Sequence, residues 1–254
     1  MRSEKYIKKD QKKKKRTGIL YRIVMLILII IIAFCLYKII PTLYGYYQGT
    51  HTYHEIEKIA GTDKDEIGIN WQKLHRKYKN VKAWIYSKDT VINYPVVQGD
   101  DNSYYLTHLV NGEYNVKGSI FIDYRNKRPF KDFMTIIYGH HMHDGSMFCS
   151  LKNYREKDYY KKHKTMRLYT PDAKYQLQIF GVVTIPSTDK HYKFSFTESE
   201  KGDYLRWIER NTELDTEVPV STDDKIVMLS TCTYEFDEAR LVVFAKMNEV
   251  NSFE

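Results

Sequence analysis

The stretch Ile226-Val227-Met228-Leu229-Ser230-Thr231-Cys232 runs from unbroken apolar residues into two small hydroxyls and then a cysteine. It reads as an apolar strand over Lys225–Thr231 with Cys232 at its end. A short polar loop, Thr233–Glu238, leads into Ala239-Arg240-Leu241-Val242-Val243-Phe244, a second strand. If the two form a hairpin, Cys232 and Arg240 emerge at one rim. A thiolate is the nucleophilic form of cysteine, and nearby positive charge lowers the thiol pKa from its usual ~8.5. An arginine stays charged at any working pH and donates hydrogen bonds to an oxyanion. A buried cysteine beside a surface arginine is the ordinary alternative for such a pair.

Working upstream, Thr135-Ile136-Ile137-Tyr138-Gly139-His140-His141-Met142-His143-Asp144 is another apolar strand, ending in an imidazole. A cysteine nucleophile needs a base near it in space rather than in sequence, and His140 lies 92 residues before Cys232. A turn-capping role, or metal binding through His140, His141, His143 and Asp144, is the competing reading. Adjacent ligands in one turn rarely close a coordination sphere, and no further Cys/His cluster completes one. Cys149 is a second candidate nucleophile, but it falls three residues into an expected helix and suits a small packed residue.

The remaining pattern between these stretches has a period near two. Strands are expected at Lys82–Ser87, Thr90–Val97, Gly118–Tyr124, Met134–Tyr138, Thr165–Thr170, Lys174–Ile185, Lys225–Thr231 and Ala239–Met247. Pro95 implies an edge or a bulge in the second. Helices are expected at Asn102–Leu109, Ser146–Lys162 and Gly202–Asn211, and over His54–Tyr78 with a break around Gly61. Eight strands without regular strand–helix alternation predict a mostly β fold, a largely antiparallel barrel or sandwich.

The formal net charge is +8, and residues 1–22 hold ten Lys or Arg against Glu4 and Asp10, so the remainder is neutral. A domain without a positive field has nothing to attract a polyanion, which argues against nucleic-acid binding. Gly18–Ile40 is apolar apart from Arg22 and Lys38. At ~1.5 Å per residue it spans the roughly 30 Å hydrocarbon layer. No convincing small-residue cleavage site follows, so an uncleaved anchor is preferred to a signal peptide. The basic cluster places the N-terminus inside. The expected division is a basic cytoplasmic tail (1–17), a transmembrane anchor (18–40), a juxtamembrane connector (41–55) and an extracellular domain (56–254). Of the three cysteines, Cys35 sits in the span; Cys149 and Cys232 are either bridged or free.

Leu229-Ser230-Thr231-Cys232, with Arg240 on the next strand and Tyr138-Gly139-His140 upstream, resembles the sortase signature, most closely that of class B. Ala83-Trp84-Ile85, Tyr94-Pro95-Val96-Val97-Gln98, Asp101-Asn102-Ser103-Tyr104-Tyr105-Leu106 and Gly118-Ser119-Ile120-Phe121 extend the resemblance, in order, over about residues 55–250. Met228 stands where the signature has its first Thr, and Thr233, after the cysteine, is a second departure. The resemblance implies an eight-stranded sortase-type barrel with N-terminal helices and a helix in the long loop before the cysteine strand, about 185–219. It implies a cofactor-free cysteine transpeptidase with Cys232 as nucleophile, His140 as acid and base, and Arg240 as oxyanion donor. Asn102, Leu106, Ser230, Thr231 and Tyr192 map to the substrate groove. The implied partners are secreted proteins with a C-terminal sorting motif, cleaved after Thr, and peptidoglycan or its lipid-linked precursor as amine acceptor. A pilin-polymerising sortase, a hydrolytic cysteine protease and a non-catalytic membrane-tethered module are the alternatives.

Overall fold

The computed structural model describes residues 2–62, 68–233 and 235–253, except for the side chains of 2–18 and 20. Among these, eight strands form: β1 (Val81–Tyr86), β2 (Asn93–Gln98), β3 (Ile120–Ile122), β4 (Met134–Tyr138), β5 (Thr165–Tyr169), β6 (Lys174–Pro186), β7 (Lys225–Cys232) and β8 (Ala239–Val250). They close into a barrel in the order β1-β2-β3-β4-β7-β8-β6-β5, with β5 pairing back onto β1. The β2–β3 and β4–β7 pairs are parallel and the others antiparallel.

Strand residues alternate between two cores, as a period of two requires. Val227 and Leu229 of β7, with Leu241, Val243 and Ala245 of β8, point into the barrel beside Trp84 and Phe121. Ile226 and Met228, with Val242 and Phe244, point outward into a second core. Helix α4 (Glu198–Asn211) covers that outer face with Tyr204 and Ile208, together with Phe180 and Val183 of β6. This two-sided burial is why β7 is apolar without alternation.

Two compact units divide the chain at Gly45. Helix α1 (Arg2–Ala60) holds, among the described residues, one stretch long and apolar enough to cross a membrane. Within the second unit, Tyr46, Tyr53, Ile56 and Ala60 pack into the barrel-side core, at the i, i+3, i+4 spacing of one helical face. Residues 41–55, expected as a connector, are therefore helical throughout. Helix α2 (Trp71–Lys77) follows; Ile67, counted in the expected helical spacing, lies outside the described residues.

The eight strands and the flanking helices agree with expectation, and the differences have local causes. Strand β2 begins at Asn93 because Ser87–Ile92 closes a turn, with Asp89 at φ 57°. Pro95 is not on an edge; it precedes the β2–β3 ladder, which starts at Val96, and a register shift lies nearby between Val81 and Ala83. The span 102–109 holds only a 3-10 turn at Tyr104–Leu106. The expected helix 146–162 is a 3-10 segment, Cys149–Arg155, then α3 (Lys157–Lys162), separated by extended Glu156. Helix α4 starts four residues early because Thr197 and Glu200 form a capping box.

Gly118 has φ 55°, and a Cβ there would lie 2.5 Å from the Tyr105 carbonyl and 2.6 Å from that of Leu106. Neither the left-handed backbone nor the rigid carbonyls tolerate a methyl. Gly118→Ala should therefore cost about 3 kcal/mol. Urea unfolding would read this as a lower midpoint, and an unchanged midpoint would contradict the geometry.

Candidate active site

Parallel strands bring their C-terminal ends to one rim. In the β4–β7 pair Tyr138 lies opposite Ser230, and the Gly139 N–H donates to the Ser230 carbonyl at 3.0 Å. His140 follows directly, beside the end of β7. On the other side of β7, Cys232 faces Arg240 in antiparallel register. A thiol, an imidazole and a guanidinium thus meet at one end of three adjacent strands. A cleft of about 320 Å³ opens there, lined by all eight residues expected at the site: Asn102, Leu106, His140, Tyr192, Ser230, Thr231, Cys232 and Arg240. A larger hollow, about 650 Å³ between α4 and residues 212–222, contains neither Cys nor His.

Cys232 is half-buried with a free thiol, while Cys149 is buried, also free, and outside the cleft. His140 Nε2 lies 2.7 Å from the Leu106 carbonyl. A carbonyl only accepts, so Nε2 carries the hydrogen of that bond. Arg240 Nη1 donates to the Ala239 carbonyl at 3.0 Å and Nη2 to the Glu238 carboxylate at 3.1 Å. With five N–H donors in the guanidinium, others remain for the cleft.

The side chains of the His-rich turn diverge. His141 Nδ1 bonds the Cys232 carbonyl at 3.1 Å, and burial pushes its pKa below the ordinary value despite that bond. Asp144 turns to Lys117. Among the described residues, no three His, Cys, Asp or Glu side chains group to hold a metal.

Tyr192 descends from the loop between β6 and α4, bonds Ser230 Oγ at 2.8 Å and stacks on Tyr138 at 6.2 Å. Burial pushes its phenol up to about 12, against the Ser230 bond and the Arg240 charge. The Thr231 hydroxyl is buried and has no hydrogen-bond partner among the described residues. Its neighbours on the strand, Val227 and Leu229 at even spacing, show that this side faces the barrel.

The sequence reading missed Arg125, Ser187 and the carboxylate behind them. Asp123, wholly buried, accepts from Arg125 Nε at 2.9 Å and Nη2 at 2.6 Å, from Tyr138 Oη at 2.9 Å and from Asn102 Nδ2 at 3.0 Å. Burial alone would raise this carboxyl, but the Arg125 and Tyr138 bonds outweigh it and hold it below the ordinary range. Burial and the adjacent carboxylate push the Tyr138 phenol far up. An acid and a base two residues apart at the end of the apolar run Ile120–Ile122 were the available signal.

The model of the Sortase domain matches residues 85–248. The chain belongs to the sortase family. Sortase B of Staphylococcus aureus is 32% identical over 90% of this chain and 97% of its own length. Sortase B of Listeria monocytogenes is 36% identical over 74% of this chain and 76% of its own length. The Staphylococcus aureus sortase B–substrate complex superposes with a TM-score of 0.74 at 31% identity, covering 81% of this chain and 98% of that one. Class B membership, the eight-stranded barrel and a cysteine transpeptidase activity follow for this sortase. The family acts on sorting-motif proteins and amine nucleophiles and works at the cell envelope.

Asp123 is charged and paired in the folded state, so its contribution to stability is present above its ordinary value of 3.8 and fades as pH falls through the lower folded value. Asp123→Asn should cost roughly 2 kcal/mol at neutral pH, since Arg125 loses its partner. The gap to wild type should narrow in urea titrations below pH 3.8. A constant gap down to the acid limit would show that charge is not what Asp123 supplies.

Proposed function

We propose that this sortase is held in the membrane by a single N-terminal helix, with residues 1–17 cytoplasmic and the barrel outside, and joins secreted proteins to a cell-wall amine. The observation that carries the reading is the opposition of Cys232 and Arg240 across β7 and β8, with His140 lining the same cleft. The basic cluster before the apolar run supports the orientation.

In this reading the Cys232 thiolate attacks the carbonyl of the sorting motif's Thr. The C–N bond breaks, and the imidazolium of His140 gives its proton to the departing amine, leaving a thioester. The acceptor amine then attacks that carbonyl, passes a proton to His140, and the C–S bond breaks to restore the thiolate. With the His140 Nε2 hydrogen directed at the Leu106 carbonyl, Nδ1 is the nitrogen left to exchange this proton. Arg240 donors and a backbone N–H near Cys232 stabilise the tetrahedral oxyanion, an effect of about 3–4 kcal/mol in comparable sites. Asn102, Leu106, Ser230, Thr231 and Tyr192 form the wall that binds the motif, Thr231 through its backbone.

Cys232→Ala should abolish both cleavage of a sorting-motif peptide and its transfer to an added amine; mass spectrometry of the products checks both, and retained transfer would refute the nucleophile. Arg240→Lys keeps the charge without the planar donor fork, and kcat should fall on the order of a hundredfold. Wild-type turnover in that variant would exclude the oxyanion role. Removal of residues 1–41 should release the protein from membrane fractions with peptide transfer intact; a fragment that still pellets with vesicles would contradict the anchor.

A further inference from the structure

The loop that carries His140 is pinned at its far end by a buried ammonium. Residues 140–148 fold back on themselves: the Phe148 N–H donates to the His140 carbonyl at 2.9 Å, and His141 pairs with Met147. The tip is Asp144, Gly145 and Ser146, with Gly145 at φ 81°. Lys117, whose side chain is 3% exposed, directs Nζ to Asp144 Oδ2 at 2.6 Å, Ser146 Oγ at 3.1 Å and Thr50 Oγ1 at 2.8 Å. An ammonium has three donors. Two go to the loop tip and the third to α1.

Helix α1 is shaped to receive this side chain. A Cβ at Gly49 would lie 2.9 Å from Lys117 Cδ, so the glycine leaves room for the lysine stem. The Tyr46 ring lies 5.7 Å from Nζ. The next residue reaches the other side of His140. The Gly118 carbonyl accepts from Tyr53 Oη of α1 at 2.6 Å, and its backbone is tight against the carbonyls of Tyr105 and Leu106. The Leu106 carbonyl is the acceptor of His140 Nε2. Lys117 and Gly118 therefore tie both supports of His140, the loop and the acceptor, to one helix.

Desolvating an ammonium is costly, and an apolar side chain would fill the same volume without that cost. What the charge adds is direction: three donors fix the loop tip in one place. Burial opposes the charge of Asp144, but its bonds to Lys117 and Ser146 prevail and hold the carboxyl below the ordinary range. Asp144 is thus ionised at neutral pH.

We propose that Lys117 is a positioning residue for His140: with Asp144 it fixes the loop 140–148 to α1 and sets the direction from which the imidazole meets Cys232. The proposal rests on the acid–base role given to His140 above. The test uses the full chain in detergent micelles, with kcat and KM for peptide-to-amine transfer measured separately in Lys117→Met, Asp144→Asn, Thr50→Val and His140→Ala. Lys117→Met and Asp144→Asn should each lower kcat about tenfold or more with KM within about twofold, and their combination should be no worse than the poorer single variant. Thr50→Val should give a smaller loss, about threefold, in kcat alone. Either kcat within about twofold of wild type in folded Lys117→Met and Asp144→Asn, or parallel changes in kcat and KM, overturns the proposal. If Lys117→Met does not fold, Asp144→Asn and Thr50→Val decide by the same criteria. Activity retained in His140→Ala would instead refute the role of His140, a separate failure.

Discussion

The site depends on β7 being covered on both faces. Val227 and Leu229 are buried inside the barrel, and Ile226 and Met228 under α4. Slipping this strand by one residue would exchange the two sets and turn Cys232 toward the interior and Thr231 toward the cleft. The neighbours of β7 then determine what meets the thiol. A parallel partner, β4, delivers the second residue beyond its own C-terminal end, which is His140; an antiparallel partner, β8, delivers the second residue from its start, which is Arg240. The three groups come from distant parts of the chain, yet topology alone brings them to one rim.

That logic explains which parts were legible in the sequence. The run Ile226–Cys232 and the run Met134–Tyr138 are strands whose polar ends stand out against apolar bodies, so the residues at their ends could be singled out before any fold was known. The helical character of residues 41–55 was not legible in the same way. Pro41, Gly45 and Gly49 are poor helix formers, and the packed face of Tyr46, Tyr53, Ile56 and Ala60 shows its period only once its partner surface exists. Likewise, the span 146–162 carries enough helical spacing to suggest one element, while extended Glu156 divides it in two. Asp123 was invisible for a further reason. Its value lies in Arg125, Tyr138 and Asn102 converging on it, and two of these are 15 and 21 residues away.

The electrostatics of the cleft follow from how its two guanidiniums are held. Arg125 is engaged through two donors by a carboxylate that is itself wholly buried, so its charge is largely neutralised where it stands. Arg240 is tethered by Glu238, an exposed acid, and such surface pairs contribute ~0–1 kcal/mol. The available positive charge at the rim is therefore that of Arg240. Arg125 gives shape instead: it also stacks on Phe194 at 4.7 Å, in the loop that carries Tyr192. Tyr192 and Ser230 satisfy one another across the wall of the same cleft.

The part of α1 that lies in the second unit belongs to the barrel domain in a physical sense. Ile56 and Ala60 are fully buried, Tyr53 nearly so, and Tyr53 meets Tyr94 edge-on at 5.2 Å while Tyr94 Oη accepts from the Met147 N–H at 3.1 Å. One chain of contacts therefore runs from α1 through Tyr94 to the loop beyond His140, and a second runs through Lys117 to its tip. A loop of nine residues closed by a single bridge pair would have little reason to hold one orientation, because ordering it costs entropy that its own contacts do not return. Two independent attachments to the same helix supply what the loop lacks. The helix that precedes the barrel in sequence is thereby part of what places the imidazole.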